Sequence, residues 1–293
     1  MTNKRTEIKR LLLYLIFAFV PPYVLAFIYT ADYGWKNDNP WFGVITSVSM
    51  FFPAAANIIT RLITKEGFSK SLLRIRLKGN MRYFVIALLL PVVCSVITAV
   101  IMAAVLLPSG SLGNMVTKMD YGKLAATVLY VITMSIVFML FGFGEEFGWR
   151  GYLTPKLEKL MPAPAAIIVS GIIWGLWHAP IIACGHDFGR DYAGYPWVGI
   201  GLMCVSCVFI GCYLTALTKR TGSVLPASLA HMAINTIASA VVSFMLMTCA
   251  TENVEIQTDF NYSIIFFGVI SSVSLAAGII LTEAGKRKQK NDL

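Results

Sequence analysis

The chain has 293 residues, 57% hydrophobic and only 13% charged, with a mean hydropathy of +0.71 and a formal net charge of +9. Soluble domains are about 45–50% apolar and about 25% charged, so an ordinary soluble enzyme is excluded, and so is a disordered chain, given this much apolar surface to bury. A membrane-crossing helix takes about 20 residues, and the length divides into roughly eight such spans better than into one or two soluble domains.

In chain order the apolar runs lie near Leu11–Tyr29, Trp41–Ile63, Tyr83–Leu107, Leu124–Phe143, Ala165–Ala183, Trp197–Leu217, Val224–Thr248 and Ser263–Leu281. They are continuous rather than alternating, which predicts helices, and only helices or closed barrels satisfy the backbone in lipid. The expected fold is all-α: a polytopic membrane protein of about eight transmembrane helices, one transmembrane domain over residues 1–293. The first run follows Lys4, Arg5, Lys9 and Arg10 and has no clear small-x-small cleavage site, as a retained signal anchor would. Pro21-Pro22 should kink it.

Charge sets the expected orientation. With the N-terminus in the cytoplasm and alternating sides, twenty of the 24 Lys and Arg fall on the cytoplasmic side. The other side keeps Lys36, Lys118, Lys123 and Arg190 and collects Asp32, Asp38, Asp120, Asp187, Asp191, Glu252, Glu255 and Asp259. This bias predicts both termini inside the cell, in the plasma membrane. The basic loop from Arg61 to Arg82 reads as a solvated face near anionic headgroups and not as a nucleic-acid site. Cys94, Cys204, Cys207 and Cys212 lie inside apolar runs and read as small hydrophobes; Cys204-Val-Ser-Cys207 has no partner pair that would make it a zinc or redox motif.

Ionisable groups within a span are costly and point to function. Gly144-Glu145-Glu146-Phe147-Gly148-Trp149-Arg150-Gly151 ends the fourth run. Glu146 and Arg150, at i and i+4, can pair on one helix face, which leaves Glu145 on another face without a local partner. Trp174-Gly-Leu-Trp-His178 puts a histidine one turn beyond Trp174, and His231-Met-Ala-Ile-Asn235 puts His and Asn on one face of the seventh run. Each has a bland reading: charges at a helix end, a packing histidine, polar glue between helices. His186-Asp187-Phe188-Gly189-Arg190-Asp191 reads as ordinary loop polarity, outside the site. Met161-Pro162-Ala163-Pro164 is a helix break midway between Glu145 and His178, so a hairpin turning there, with arms of about 24 Å, brings both to one level. Lys156–Lys159 would then protrude into the cytoplasm.

At this point the residues resemble a known family. Glu145-Glu146-x-x-x-Arg150, then Trp174-x-x-x-His178, then His231-x-x-x-Asn235 match in order the motifs of the CPBP intramembrane proteases, the group of type II CaaX prenyl endopeptidases and bacteriocin-processing and self-immunity proteins. The motif region runs from about Gly142 to Asn235, within a protease core expected over about 124–248. One departure is visible: the second motif usually begins with Phe, here Trp174. The resemblance implies that Glu145 and His178 activate water, that His231 and Asn235 stabilise the oxyanion, and that Glu146, Arg150 and Trp174 support them. It implies a membrane-anchored protein or peptide as substrate, cleaved by CaaX-type or leader-peptide processing; no oligomeric state follows from it.

The chemistry is reasonable on its own terms. Peptide hydrolysis needs a water activated by a matched base, and donors aimed at the developing oxyanion supply the largest share of rate in acyl transfer. Alternatively Glu145, His178 and His231 could ligate Zn²⁺ with one position open, although the H-E-x-x-H spacing is absent. Two other classes compete: a proton-coupled transporter using the same three residues as a relay, for which no inverted repeat is visible, and a non-catalytic immunity or scaffold protein of the same fold.

Overall fold

The computed structural model describes residues 3–75, 77–106, 117–238 and 260–291, with 240, 243, 244, 247 and 248 between the last two stretches. No strand occurs among the described residues. The helices are α1 (Lys4–Tyr33), α2 (Pro40–Ser49), α3 (Phe52–Ile63), α4 (Met81–Leu106), α5 (Tyr121–Val137), α6 (Met139–Gly148), a π-helical turn (Trp149–Leu153), α7 (Thr154–Leu157), α8 (Ala163–Trp177), α9 (Ala179–Ile182), α10 (Trp197–Thr221), α11 (Leu225–Ile237) and α12 (Phe260–Asn291).

This is a polytopic helical membrane architecture, and every predicted apolar run holds a helix. Length separates them. Lys4–Tyr33, Pro40–Ile63, Met81–Val105, Trp197–Thr221 and Asn261–Lys286 are long and apolar enough to cross a bilayer, and α5 with α6–α7 makes a sixth if their 49° bend is one broken span. The run expected at Ala165–Ala183 gives the 15-residue α8, which ends at Trp177. The run expected at Val224–Thr248 opens with the 13-residue α11, and 239, 241, 242, 245 and 246 lie outside the described residues. So do Arg76, Glu252, Glu255 and Asp259 of the charge argument, and the side chains of Arg287, Lys288 and Lys290.

α10 forms the centre, packed on α8 and α12, while α11 packs on α4, α5 and α6, and α3 packs on α1 and α6. Two glycine pairs mark close helix–helix approaches. A Cβ on Gly148 would lie 2.4 Å from the Pro53 Cβ, and one on Gly144 2.5 Å from the Met50 carbonyl oxygen. On α8, a Cβ on Gly171 or Gly175 would lie 2.4 Å from the Cα of Val208 or Cys204 on α10. Small residues four apart let backbones touch where lipid offers no hydrophobic drive. These pairs press the two motif-bearing helices onto α3 and α10.

Prolines free carbonyls, and in lipid each freed carbonyl needs another donor. α1 stays helical through Pro21 and Pro22. Pro22 has no N–H for the carbonyl of Ala18, four residues back, and Trp177 Nε1 donates to it at 3.0 Å. Reciprocally, Pro180 has none for Leu176, and the Tyr23 hydroxyl donates to that carbonyl at 2.7 Å. The two prolines therefore cross-tie α1 to the end of α8, beside His178.

In the basic loop Lys65, Lys70, Arg74, Lys78 and Arg82 are exposed as expected, and two other basic residues at this end are not. Arg61 and Lys156 are 5% and 4% exposed. Glu66 accepts from the Tyr152 hydroxyl at 2.7 Å and pairs with Lys156, while Glu7 pairs with Arg10 at 2.9 Å, Lys156 at 3.0 Å and Lys159 at 3.1 Å. Lys156 does not protrude: two carboxylates from distant segments draw it inward, and neither is near it in sequence.

Candidate active site

Glu145 and Glu146 close the last turn of α6 and are 2% and 0% exposed. The expected i, i+4 pair forms: Arg150 Nη1 donates to Glu146 Oε1 at 2.8 Å, both side chains buried. The expectation that Glu145 lacks a local partner is corrected. Trp149, one turn on, donates its indole N–H to Glu145 Oε2 at 3.2 Å, and Trp174 Nε1 donates to the same oxygen at 2.7 Å. An indole is a donor as well as an apolar wall, and both tryptophans act here as donors to one carboxylate. The chain then widens into the π-helical turn Trp149–Leu153, a form that recurs at functional sites.

The turn between α7 and α8 falls at the predicted break, with Pro162 before the first residue of α8. At the other end of α8 the His178 amide bonds Gly175 O at 3.1 Å, three residues back, which releases the Trp174 carbonyl. The His178 ring takes it, with Nδ1 2.9 Å from Trp174 O. A carbonyl only accepts, so Nδ1 carries the hydrogen and the neutral ring keeps its lone pair on Nε2.

α11 supplies the third wall. His231 Nδ1 stands 2.8 Å from Glu146 Oε1, and its Nε2 is 3.9 Å from Glu145 Oε1. The Trp174 ring lies 5.4 Å from that of His231 and 5.9 Å from that of His178, with the Arg150 guanidinium carbon 4.2 Å from its centroid. Trp174 thus joins the three motifs: it donates to Glu145, lends its carbonyl to His178 and stacks with Arg150. Asn235, a turn beyond His231, is exposed and lines the same cavity.

That cavity has a volume of about 380 Å³ and is lined by Glu145, Trp174, Trp177, His178, His231 and Asn235, with an apolar side from Met203, Cys207, Ile210, Phe266, Phe267 and Ile270. His186 and Asp187 also line it, although the sequence placed them in a loop outside the site. The loop folds back over the bundle, where the Ser263 hydroxyl donates to the Asp187 carbonyl at 2.7 Å. No local pattern announces this, because the partner is 76 residues away.

Glu145, His178 and His231 are the three residues that could ligate Zn²⁺, and each faces the cavity. Among the described residues no group of three or more His, Cys, Asp or Glu side chains is placed to hold a metal ion. Glu145 Oε2 is taken by two indoles and His231 Nδ1 by Glu146. The arrangement sets one carboxylate and two imidazoles on the wall of a single cavity.

Comparison with known proteins agrees with the motif reading. Residues 126–237 match the family described as type II CAAX prenyl endopeptidase Rce1-like. A curated protein of Methanococcus maripaludis named CAAX prenyl protease 2 is 28% identical over 149 residues, 50% of this chain and 54% of that relative. The chain thus spans about half the length of the relative it matches.

Proposed function

We propose that this protein, whose residues 126–237 match the type II CAAX prenyl endopeptidase Rce1-like family, is an intramembrane endopeptidase that cleaves a peptide bond close to the membrane, in a prenylated CaaX tail or a leader peptide. The observation that carries the reading is the meeting of Glu145, His178, His231 and Asn235, from three separate helical segments, on one cavity.

In this reading Glu145 takes a proton from water through Oε1, the oxygen not held by the indoles, and His178 orients the water through Nε2. The hydroxide adds to the scissile carbonyl. His231, as an imidazolium between Glu145 and Glu146, donates with Asn235 to the oxyanion. As the tetrahedral intermediate collapses, the proton held by Glu145 passes to the departing amine. Glu146 and Arg150 hold His231 and Trp174 from behind. No metal enters the mechanism. The excess of Lys and Arg at the end bearing residues 61–82, 150–159 and 219–220 favours a cytoplasmic position for that end.

The test is purified protein in micelles or liposomes with a farnesylated, CaaX-ending peptide and, separately, an unprenylated leader peptide anchored by an apolar helix. Cleavage by the wild type and none by Glu145→Ala is expected. Undiminished cleavage by Glu145→Ala would refute the assignment.

A further inference from the structure

The π-helical turn that follows Glu145 and Glu146 is held from outside by a pair of side chains on α3. Asn57 is fully buried, and its Nδ2 donates to the carbonyl of Phe147 at 2.7 Å, at the entry to the turn. Its Oδ1 accepts from Arg61 Nε, one turn along α3, at 2.7 Å. Arg61 reaches on to the Gly151 carbonyl at 3.4 Å and to the Gly67 carbonyl at 2.9 Å, with its guanidinium carbon 5.2 Å from the centroid of the Tyr152 ring.

The chemistry of the turn explains why this help is needed. In an α-helix the Gly151 carbonyl would accept from the amide of residue 155. That residue is Pro155, which has no N–H and whose ring crowds that carbonyl. The chain answers by widening: the Thr154 amide bonds Trp149 O, five residues back. A buried carbonyl left unmet costs free energy comparable to a lost hydrogen bond. Arg61 offers a donor at the exit of the turn and Asn57 one at its entry. Between these two anchors sit Trp149, which donates to Glu145, and Arg150, which bonds Glu146.

We propose that Asn57 and Arg61 are positioning residues: a two-point clamp on the π-helical turn that fixes the aim of Trp149 and Arg150, and through them of Glu145 and Glu146. Neither touches the cavity. The inference rests on the endopeptidase reading for its activity readout only.

The variant that isolates the clamp is Asn57→Asp. It is isosteric and still accepts from Arg61, but it sets a carboxylate oxygen against the Phe147 carbonyl where a donor stood. With the farnesylated CaaX peptide, kcat should fall about 10- to 100-fold while KM stays within about twofold, as for a misaimed catalytic group in an unchanged binding cavity. Hydrogen–deuterium exchange of the backbone over residues 147–157 should rise in Asn57→Asp, with the exchange of α10 unchanged. Should Asn57→Asp not fold, Arg61→Lys bears the same test, since lysine keeps the charge but cannot span Asn57, Gly67 and Gly151 together. Wild-type kcat and wild-type exchange over 147–157 in a folded variant would overturn the clamp. Activity in Glu145→Gln equal to wild type would instead sink the endopeptidase reading, and the exchange measurement would still decide the clamp.

Discussion

Glu146 is the residue whose removal has the most legible cost. One of its oxygens, Oε1, accepts from Arg150 Nη1 and faces His231 Nδ1, each at 2.8 Å, with Glu146 and Arg150 0% and 2% exposed. Deleting one partner of a buried ion pair strands the other charge and costs about 3–5 kcal/mol. Glu146→Ala strands Arg150 and also leaves His231 Nδ1 without its acceptor, so about 4 kcal/mol or more should be lost. Glu146→Gln keeps one acceptor oxygen for two donors and loses the charge; a charge-assisted hydrogen bond contributes about 1.5–3 kcal/mol, so about half the loss is expected. The assay is denaturant-induced or thermal unfolding in one detergent, for wild type, both variants, Arg150→Met and the double variant Glu146→Ala/Arg150→Met. The double variant should be more stable than the sum of its singles by about 1–3 kcal/mol. Additive losses, or Glu146→Ala within about 1 kcal/mol of wild type, would refute the claim that this pair is closed and dry.

Trp174→Phe removes the 2.7 Å indole donor to Glu145 but leaves the ring facing Arg150 and the Trp149 donor in place; kcat should fall about tenfold at wild-type expression, and an unchanged kcat would show that the contact is idle. Gly148→Ala pushes a Cβ to 2.4 Å from Pro53 Cβ and 2.5 Å from its carbonyl carbon, so it should destabilise by about 1–3 kcal/mol, whereas Gly201→Ala, with open space at its Cβ, should not; melting of the two variants side by side decides. For Glu66, burial pushes the carboxyl upward, but hydrogen bonds from Lys156, Tyr152 and Thr64 with the Lys156 charge outweigh it and hold the group below its ordinary value of 4.5. A depressed carboxyl contributes stability that is present above its unfolded value and lost as pH falls through the folded one. The melting temperature of the wild type should therefore drop below about pH 4.5 more steeply than that of Glu66→Gln, and parallel curves would count against the buried network.

The continuous apolar runs made the helices legible, and i, i+4 spacing made the Glu146–Arg150 pair legible, because both depend on neighbours in the chain. The hairpin at Pro162 was legible for the same reason: proline acts locally. The run at Ala165–Ala183 hid a break, since hydropathy does not register that the His178 amide turns back to Gly175, so that α8 and α9 share the run. What the sequence hid has a common cause. Trp149 and Trp174 on Glu145, Arg61 on Gly151, Trp177 on Ala18 and Lys156 between Glu7 and Glu66 are each a donor finding an acceptor made available by geometry. Most of these partners lie tens of residues apart. His186 and Asp187 reach the cavity the same way, through a loop that reads as ordinary surface.

The most direct measurement is single-turnover cleavage of the farnesylated CaaX peptide by purified wild type, Glu145→Gln and His178→Ala, each with and without a strong chelator. Hydrolysis by the wild type that survives chelation and vanishes in both variants is the predicted result. Equal hydrolysis in Glu145→Gln, or a wild type silenced by the chelator and restored by zinc, would contradict water activation by the buried glutamate.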